Sequence, residues 1–448
     1  MADEHIKGRI NMDVSVRNFG TVLRADVHVG GLTVITGEND TGKSTIGKIL
    51  FSLVKAIARY EEDLEEAKEA RVTSLAEKMY FNLRRFVNVE GHNDLRDYFH
   101  PRKLYSQLRP SKDKAIEERI RLVTHFMHTS SLPKALYESC IKNFEKISMI
   151  MDEPDDEIYA ISRATKKAFF SEFKSEIIHK GIKSPAKAQI TINDGASELI
   201  DISWTKDLTQ SLKYIDALGY TDATYVDSPS IIQFHHLVKM SRTHFDADSP
   251  GKGTVPLHVK DLATKLSDSI YSFPVPDFFI DKDHQHDIST KISEIFGGQI
   301  SYDEESSDFY LERNGYKLSS SNIASGIKSL GVLDLLIRGG AIKPNALLIL
   351  DEPEVNLHPK WQIDYCEIIC DLVNRGVDII VNTHSPYIIE ALKHFCDRDG
   401  VENKFYLASK QDDASSSEFF DITQDISVAI EKLAAPLLKL NRDEFSDF

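Results

Sequence analysis

Gly37-Glu38-Asn39-Asp40-Thr41-Gly42-Lys43-Ser44 follows directly on the run Leu32-Thr33-Val34-Ile35-Thr36. That run is apolar and β-branched, the composition of a strand buried on both faces. Gly37 and Gly42 let the chain curl after it, so that consecutive backbone N–H groups turn inward toward phosphates. Lys43 is placed to reach β- and γ-phosphates, and the Ser44 hydroxyl to hold Mg²⁺. A helix beginning near Ser44 points its positive end at the same anions. The expected phosphate-binding set is Gly37, Asn39, Asp40, Thr41, Gly42, Lys43, Ser44 and Thr45. A glycine turn with an incidental lysine would read the same locally, so the decision falls to residues elsewhere.

Those residues lie far downstream. Ala346–Leu350 reads as a second buried strand and ends in Asp351 and Glu352. Carboxylates at the end of such a strand sit where an α/β sheet presents its chemistry. Asp351 is expected near Mg²⁺ through a coordinated water. Glu352 is expected to act as general base or to orient the attacking water. The alternative is a salt-bridged surface pair. A further apolar run, Asp378-Ile379-Ile380-Val381, leads into Thr383-His384-Ser385, and Ser385-Pro386 suits a helix start. Placed one strand after the acidic pair, His384 is expected to sense or stabilise a γ-phosphate. A lone histidine elsewhere would be read as a satisfied core or surface residue. Three motifs in this order predict one ATP site, using Mg²⁺, whose halves are separated by a long insertion.

The segments Asp351-Glu352-Pro353-Glu354-Val355-Asn356-Leu357-His358-Pro359 and Thr383-His384-Ser385-Pro386-Tyr387 resemble the ABC-type ATPase heads of the RecF, SMC and OLD group. Val14-Ser15-Val16-Arg17-Asn18-Phe19 and the Gly20 after it match the opening of such heads. The resemblance covers about residues 10–60 and 290–410. Within the group it is most similar to AAA-type ATPase subunits of bacterial anti-phage systems of the Septu, PARIS or retron-associated kind. It implies an α/β head with a mixed sheet, flanking helices and an antiparallel lobe, carrying a mainly helical insertion. It also implies a dimer in which the signature motif of one subunit closes on the nucleotide of the other. Ile323-Ala324-Ser325-Gly326-Ile327-Lys328 stands at that motif, so Ser325 and Gly326 are expected to contact nucleotide. Ala324 departs from the serine usual in the family, which leaves the contact to Ser325 or Asn322; a plain helix cap is the alternative. Gln107 is a candidate for the glutamine loop by position alone.

Composition is compatible with this. The chain has 448 residues and a formal net charge of −16, which favours solubility and argues against a protein that coats nucleic acid. Cys140, Cys366, Cys370 and Cys396 form no CxxC pair, so a zinc hook is not expected. Met1-Ala2-Asp3-Glu4-His5 lacks the basic and apolar regions of a signal peptide, and no apolar run is long enough to span a bilayer. A cytoplasmic protein without membrane contact is expected.

The predicted division is 1–60 and 221–448 for the two parts of the head, and 61–220 for a mainly helical insertion. Helical patterns recur at Ala67–Val87, Lys114–His128, Lys134–Met151 and Glu157–Lys180, punctuated by Pro133, Pro154 and Pro185. No heptad persists long enough for an SMC-like coiled coil. Strands are expected at Ala188–Ile192, Glu198–Trp204 and Ala223–Val226, and a hairpin at Gln299–Tyr302 and Asp308–Leu311 with an Asn314-Gly315 turn after it. Two basic groups could track phosphates: Arg163, Lys166, Lys167, Lys174, Lys180, Lys183 and Lys187, and Arg84, Arg85, Arg96, Arg102, Lys103 and Arg109 with Tyr98, Phe99 and Tyr105. Solvated faces or a protein-partner surface would read alike. The residues after His384 read as two strands around the polar stretch Gln411–Ser417 and an amphipathic helix Asp425–Leu440. They leave no room for a TOPRIM domain, so no nuclease activity is expected of this chain alone. The expected partners are a homodimer or higher oligomer of heads and a separate nuclease or toxin effector, with DNA as a further candidate. Two readings of function follow: an ATPase sensor or scaffold of an anti-phage defence complex, or a RecF-like DNA-repair ATPase that clamps DNA. A transporter ATPase subunit is disfavoured by the insertion and by Ala324.

Overall fold

The computed structural model describes residues 10–58, 60–87, 92–130, 132–153, 157–179, 187–241, 243, 254–269, 282–411 and 416–435. The chain forms two compact units, one of residues 1–58 and 162–448 and the other of residues 59–161.

The first unit opens with a hairpin, β1 (Met12–Phe19) and β2 (Val22–Val29), then β3 (Leu32–Gly37) and α1 (Lys43–Ala58). The second unit holds α2 (Tyr60–Leu83), α3 (His92–Phe99), α4 (Pro101–Leu108), α5 (Lys112–Thr129), α6 (Lys134–Asp152) and the first turn of α7 (Glu157–Phe173). The chain then returns to the first unit through β4 (Lys187–Asp194), β5 (Ser197–Thr205), β6 (Gln210–Tyr214) and β7 (Asp222–Val226). Next come α8 (Ile231–Met240), α9 (Leu257–Asp268), α10 (Lys282–Phe296) and a separate three-stranded sheet of β8 (Gln299–Asp303), β9 (Asp308–Arg313) and β10 (Tyr316–Ser319). The last stretch is α11 (Ser325–Arg338), β11 (Ala346–Asp351), α12 (Pro359–Asn374), β12 (Asp378–Thr383), α13 (Pro386–Asp399), β13 (Asn403–Lys410) and β14 (Ser417–Asp421).

Eleven strands make one sheet in the order β6-β5-β4-β1-β2-β14-β13-β3-β12-β11-β7. The half from β13 to β7 is parallel throughout. Its β3 and β12 are buried at every residue, as strands covered on both faces must be. Leu32 and Val34 of β3 join a core with α11, α12 and α13, whereas Ile35 faces a second core with α1. The half from β6 to β1 and β2 is antiparallel and alternates buried with exposed positions. β3 therefore lies between β12 and β13, with Thr33 opposite Ile380 and also Lys404. The first unit is thus built on one mixed sheet, and the second, inserted after α1, is mainly helical.

Behind the site, a ring of charges locks α1, β7 and α9 together. Lys55 Nζ lies 2.5 Å from Asp222 and 2.6 Å from Asp261, and Lys265 Nζ lies 2.7 and 3.0 Å from the same two carboxylates. Burial opposes the charge of Lys55, but the two aspartates outweigh it and raise its pKa.

Several expectations change. β4 and β5 pair into the main sheet beside β1, so they belong to the head, and the helical unit ends near Ile161 rather than at 220. Helix α2 begins at Tyr60 and takes in the acidic stretch, while α7 stops at Phe173 because Lys174 is left-handed, φ 54°. The sequence reading missed α3, α4, β6 and α8 to α10. Pro154, Lys180, Lys183, Pro185, residues 412–415 and the end of the helix expected at Asp425–Leu440 lie outside the described residues, as does the Arg102 side chain; residues 427–435 are helical.

Candidate functional site

The phosphate loop is shaped by contacts that leave no room for larger residues. Gly37 has φ 147°, and a Cβ there would stand 2.3 Å from the Ala408 carbonyl oxygen. Gly42 has φ 77°, and its Cβ would meet Val22 at 2.7 Å. Asp40 is also left-handed, φ 61°, and its carboxylate lies 3.3 Å from Lys410 Nζ. Thr41 donates its hydroxyl to the Glu38 carbonyl at 2.8 Å, and Ser417 donates to the Thr41 carbonyl at 2.8 Å. Asn39 completes the loop, and Thr45 closes the first turn by donating its N–H to the Gly42 carbonyl at 3.0 Å. Among the described residues, the backbone N–H groups of Asn39, Asp40, Thr41 and Gly42 have no hydrogen-bond partner, which suits an anion-binding loop.

Lys43 is buried and bridges the loop, donating to Gly37 O at 3.0 Å and Glu38 O at 2.8 Å. Burial pulls its pKa below the usual lysine value, against Glu352, Asp351 and Glu354, which support the charge. The ammonium thus rests on backbone carbonyls, neighbours that a phosphate could replace.

Asp351 joins the two halves of the sequence. Its Oδ1 accepts Ser44 Oγ at 3.0 Å and Asn382 Nδ2 at 2.9 Å, and its Oδ2 accepts the Tyr225 hydroxyl at 2.7 Å. Burial and the adjacent Asp351 push the Tyr225 pKa well up, so it stays a donor. A hydroxyl and a carboxylate side by side, at the mouth of a phosphate loop, match the hard oxygen donors that Mg²⁺ prefers. The donor set therefore fits both ATP and Mg²⁺.

Glu352 departs from the strand in a left-handed conformation, φ 51°, held by its N–H on the Asn382 carbonyl at 2.8 Å. A non-glycine residue in that region is strained, and such strain concentrates at functional sites. His384 Nδ1 lies 3.4 Å from Glu352 Oε1 and 3.3 Å from Glu354 Oε1, near enough for charge pairing but not aligned as a hydrogen bond. Glu354, which the sequence reading did not single out, is the buried one. Its Oε1 accepts Thr383 Oγ1 and the His384 backbone N–H, both at 2.8 Å. Tyr225, Asn382 and Glu354 were all missed, because each acts only through the neighbour that the fold brings to it.

The signature segment lies at the start of α11. Ala324 is the N-cap residue and makes no side-chain cap, so the helix end has no side chain closing it. Ala324 and Ser325 are exposed, and Gly326 is packed so closely that a Cβ would lie 2.9 Å from the Asn356 carbonyl oxygen. Asn322 is exposed too, its amide 3.3 Å from Ser319 Oγ.

Gln107 does not behave as a nucleotide contact. Its side chain accepts Arg119 Nη2 at 2.6 Å and donates to Asp97 O at 3.0 Å, all within the helical unit. Arg84, Arg85, Arg96, Lys103 and Arg109 are exposed there, but Phe99 and Tyr105 are core residues and are not free to stack on bases. In the head, Lys166 and Lys174 are exposed, Arg163 and Lys167 are half-buried, and Lys187 opens β4. The four cysteines are buried, with Cys370 and Cys396 in sulfur contact at 3.9 Å. Among the described residues no helix is long and apolar enough to cross a membrane.

Fold and site together place a phosphate-loop-like turn, Gly37–Ser44, against the acidic end of a parallel strand, Asp351–Glu352. A family model described as "AAA domain, putative AbiEii toxin, Type IV TA system" matches residues 233–390. Solved structures similar to this chain include an SMC head bound to the C-terminal winged-helix domain of ScpA, at 11% identity and TM-score 0.43, covering 94% of this chain and 99% of that one. Another is the SMC head domain from Thermotoga maritima, at 12% identity and TM-score 0.40, covering 92% and 98%. A third is an SMC head with an extended coiled coil bound to the C-terminal domain of ScpA, from Pyrococcus furiosus, at 12% identity and TM-score 0.42, covering 94% and 98%.

Proposed function

We propose that this chain binds and hydrolyses ATP with Mg²⁺, working as a dimer of heads whose opening and closing act on a separate partner. The observation that carries the reading is the hydrogen bond from Ser44 to Asp351, which joins the phosphate loop to the acidic strand end. The loop N–H groups and Lys43 bind the phosphates. Ser44 and Asp351 would hold the Mg²⁺, which when bound neutralises charge on the β- and γ-phosphates. Glu352 accepts a proton from the attacking water or orients it, and His384 stabilises the γ-phosphate. Ser325 and Gly326 of a second copy close over the nucleotide. Glu352→Gln is expected to keep ATP binding and lower turnover by about 10²–10⁴-fold, while Lys43→Ala loses binding. Normal turnover in Glu352→Gln would refute the assignment.

Two outputs compete. A RecF-like DNA-maintenance ATPase is supported by the architecture of the whole head and by the exposed arginines of the helical unit. Control of a separate nuclease or toxin in an anti-phage defence complex is supported by the family match over residues 233–390. A pull-down of tagged Glu352→Gln protein, expressed from its native locus, separates them. DNA without a protein partner supports the clamp; a stoichiometric nuclease or toxin supports the defence complex.

A further inference from the structure

One buried charged group beside this site has no part in the reading above. His258, in the first turn of α9, is 3% exposed at its side chain. Its Nδ1 lies 2.5 Å from Glu172 Oε2 on α7, and its Nε2 lies 3.2 Å from Asp227 Oδ2, one residue past β7. The other Glu172 oxygen accepts the His258 backbone N–H at 2.9 Å, and the Glu172 side chain is fully buried. An imidazole with a carboxylate on each nitrogen donates from both, which makes it the imidazolium. Tyr225 and Phe51 pack around it, ring centroids 4.9 and 6.3 Å away.

Asp227 is the member of this triad that reaches water. Its side chain is 35% exposed, and it lines the same concavity as Ser228, Asp351 and Glu352. Two residues earlier, on β7, Tyr225 donates to Asp351. The end of β7 therefore presents two groups to the acidic strand end, a hydroxyl already engaged and a carboxylate held from behind.

We propose that His258, anchored by Glu172, is a positioning residue that holds the Asp227 carboxylate in the nucleotide cleft, where it accepts a hydrogen bond from a water of the reacting site. The proposal rests on the ATPase reading. Without the imidazolium, the Asp227 side chain samples other rotamers, and a displaced catalytic contact of this kind costs on the order of 10²-fold in rate.

The test measures steady-state ATP hydrolysis together with direct binding of a fluorescent ATP analogue, with and without Mg²⁺. Wild-type protein, K43A and E352Q are the references. D227N, H258Q, the double variant D227N/H258Q and E172Q/H258Q are compared with them; the last is made because H258Q leaves Glu172 a buried unpaired carboxylate. D227N and H258Q are each expected to lower kcat at least tenfold while analogue binding stays within twofold. D227N/H258Q is expected to be no slower than D227N, since both changes remove the same contact. If H258Q does not fold, E172Q/H258Q carries the comparison and is expected to match D227N. D227N at the wild-type rate, or losses that multiply in D227N/H258Q, would overturn the inference alone. Wild-type protein no faster than K43A and E352Q would overturn the ATPase reading beneath it.

Discussion

Glu354 gathers three groups of Thr383 and His384 on one oxygen, Thr383 Oγ1, His384 N and, at 3.3 Å, His384 Nδ1. Truncating it frees both the backbone and the ring of His384, so Glu354→Ala is expected to slow hydrolysis by about 10- to 100-fold with analogue binding retained. Glu354→Gln keeps the shape and one acceptor and should fall between the two. Wild-type turnover in Glu354→Ala would remove the residue from this role. His258 makes a prediction of a different kind. Burial opposes its charge, but the bonds to Asp227 and Glu172 prevail and raise its pKa to about 9. A pKa raised above the unfolded value stabilises the fold below about pH 6.5, and that stability is lost as pH rises through about 9. The melting temperature should therefore fall between about pH 7 and 9.5, and H258Q should lack that fall; equal slopes would contradict it. That Lys43, Ser44, Asp351, Glu352 and His384 come together in space could be read from sequence, because their types and order suit a phosphate ligand. Glu354 stood in the same motif, yet its role depends on where Thr383 lands, and the Glu172–His258–Asp227 triad joins three segments that no spacing connects.

At the scale of elements, the ring of Lys55, Asp222, Lys265 and Asp261 fixes how α1 leaves the phosphate loop relative to β7 and α9. Lys55→Ala removes one of two cations from two half-buried carboxylates, and because Lys265 remains the expected cost lies below the ~3–5 kcal/mol of breaking a buried pair. Urea unfolding of the variant should show its midpoint lowered accordingly, and an unchanged midpoint would mean that Lys265 alone neutralises both aspartates. The strands β3, β11 and β12 were legible because burial on both faces demands unbroken apolar runs. β4 and β5 were also legible as strands but not as members of the main sheet, since alternation reports a half-buried strand without naming its neighbour. β6, Gln-Ser-Leu-Lys-Tyr, is an edge strand with no fully buried residue, and so gives little periodic signal. α8, α9 and α10 are helices of 10, 12 and 15 residues that lie outside the motifs on which the sequence reading rested.

Across the whole molecule, the helical unit carries a core of its own. Val72, Leu83, Leu104, Val123, Phe126, Phe144 and Ile147 all pack into one cluster, and every member of it comes from α2 to α6 and their connections. Residues 59–161 expressed alone should therefore give a helical circular-dichroism spectrum and a cooperative thermal transition; a featureless melt would show that the unit depends on the head. The head has the opposite character. Among the described residues its phosphate-loop strand β3 pairs with β12 and β13 alone, both made late in the chain. During synthesis, at ~5–20 residues per second, Leu32–Gly37 emerges and then waits roughly 20 to 70 s for its first neighbour. Through that interval a strand that the folded head buries at every residue has no partner to cover it, and it is a natural client for a chaperone bound to the growing chain. Slower translation lengthens the wait, and a message that stops before β12 yields a protein whose nucleotide loop has never been assembled.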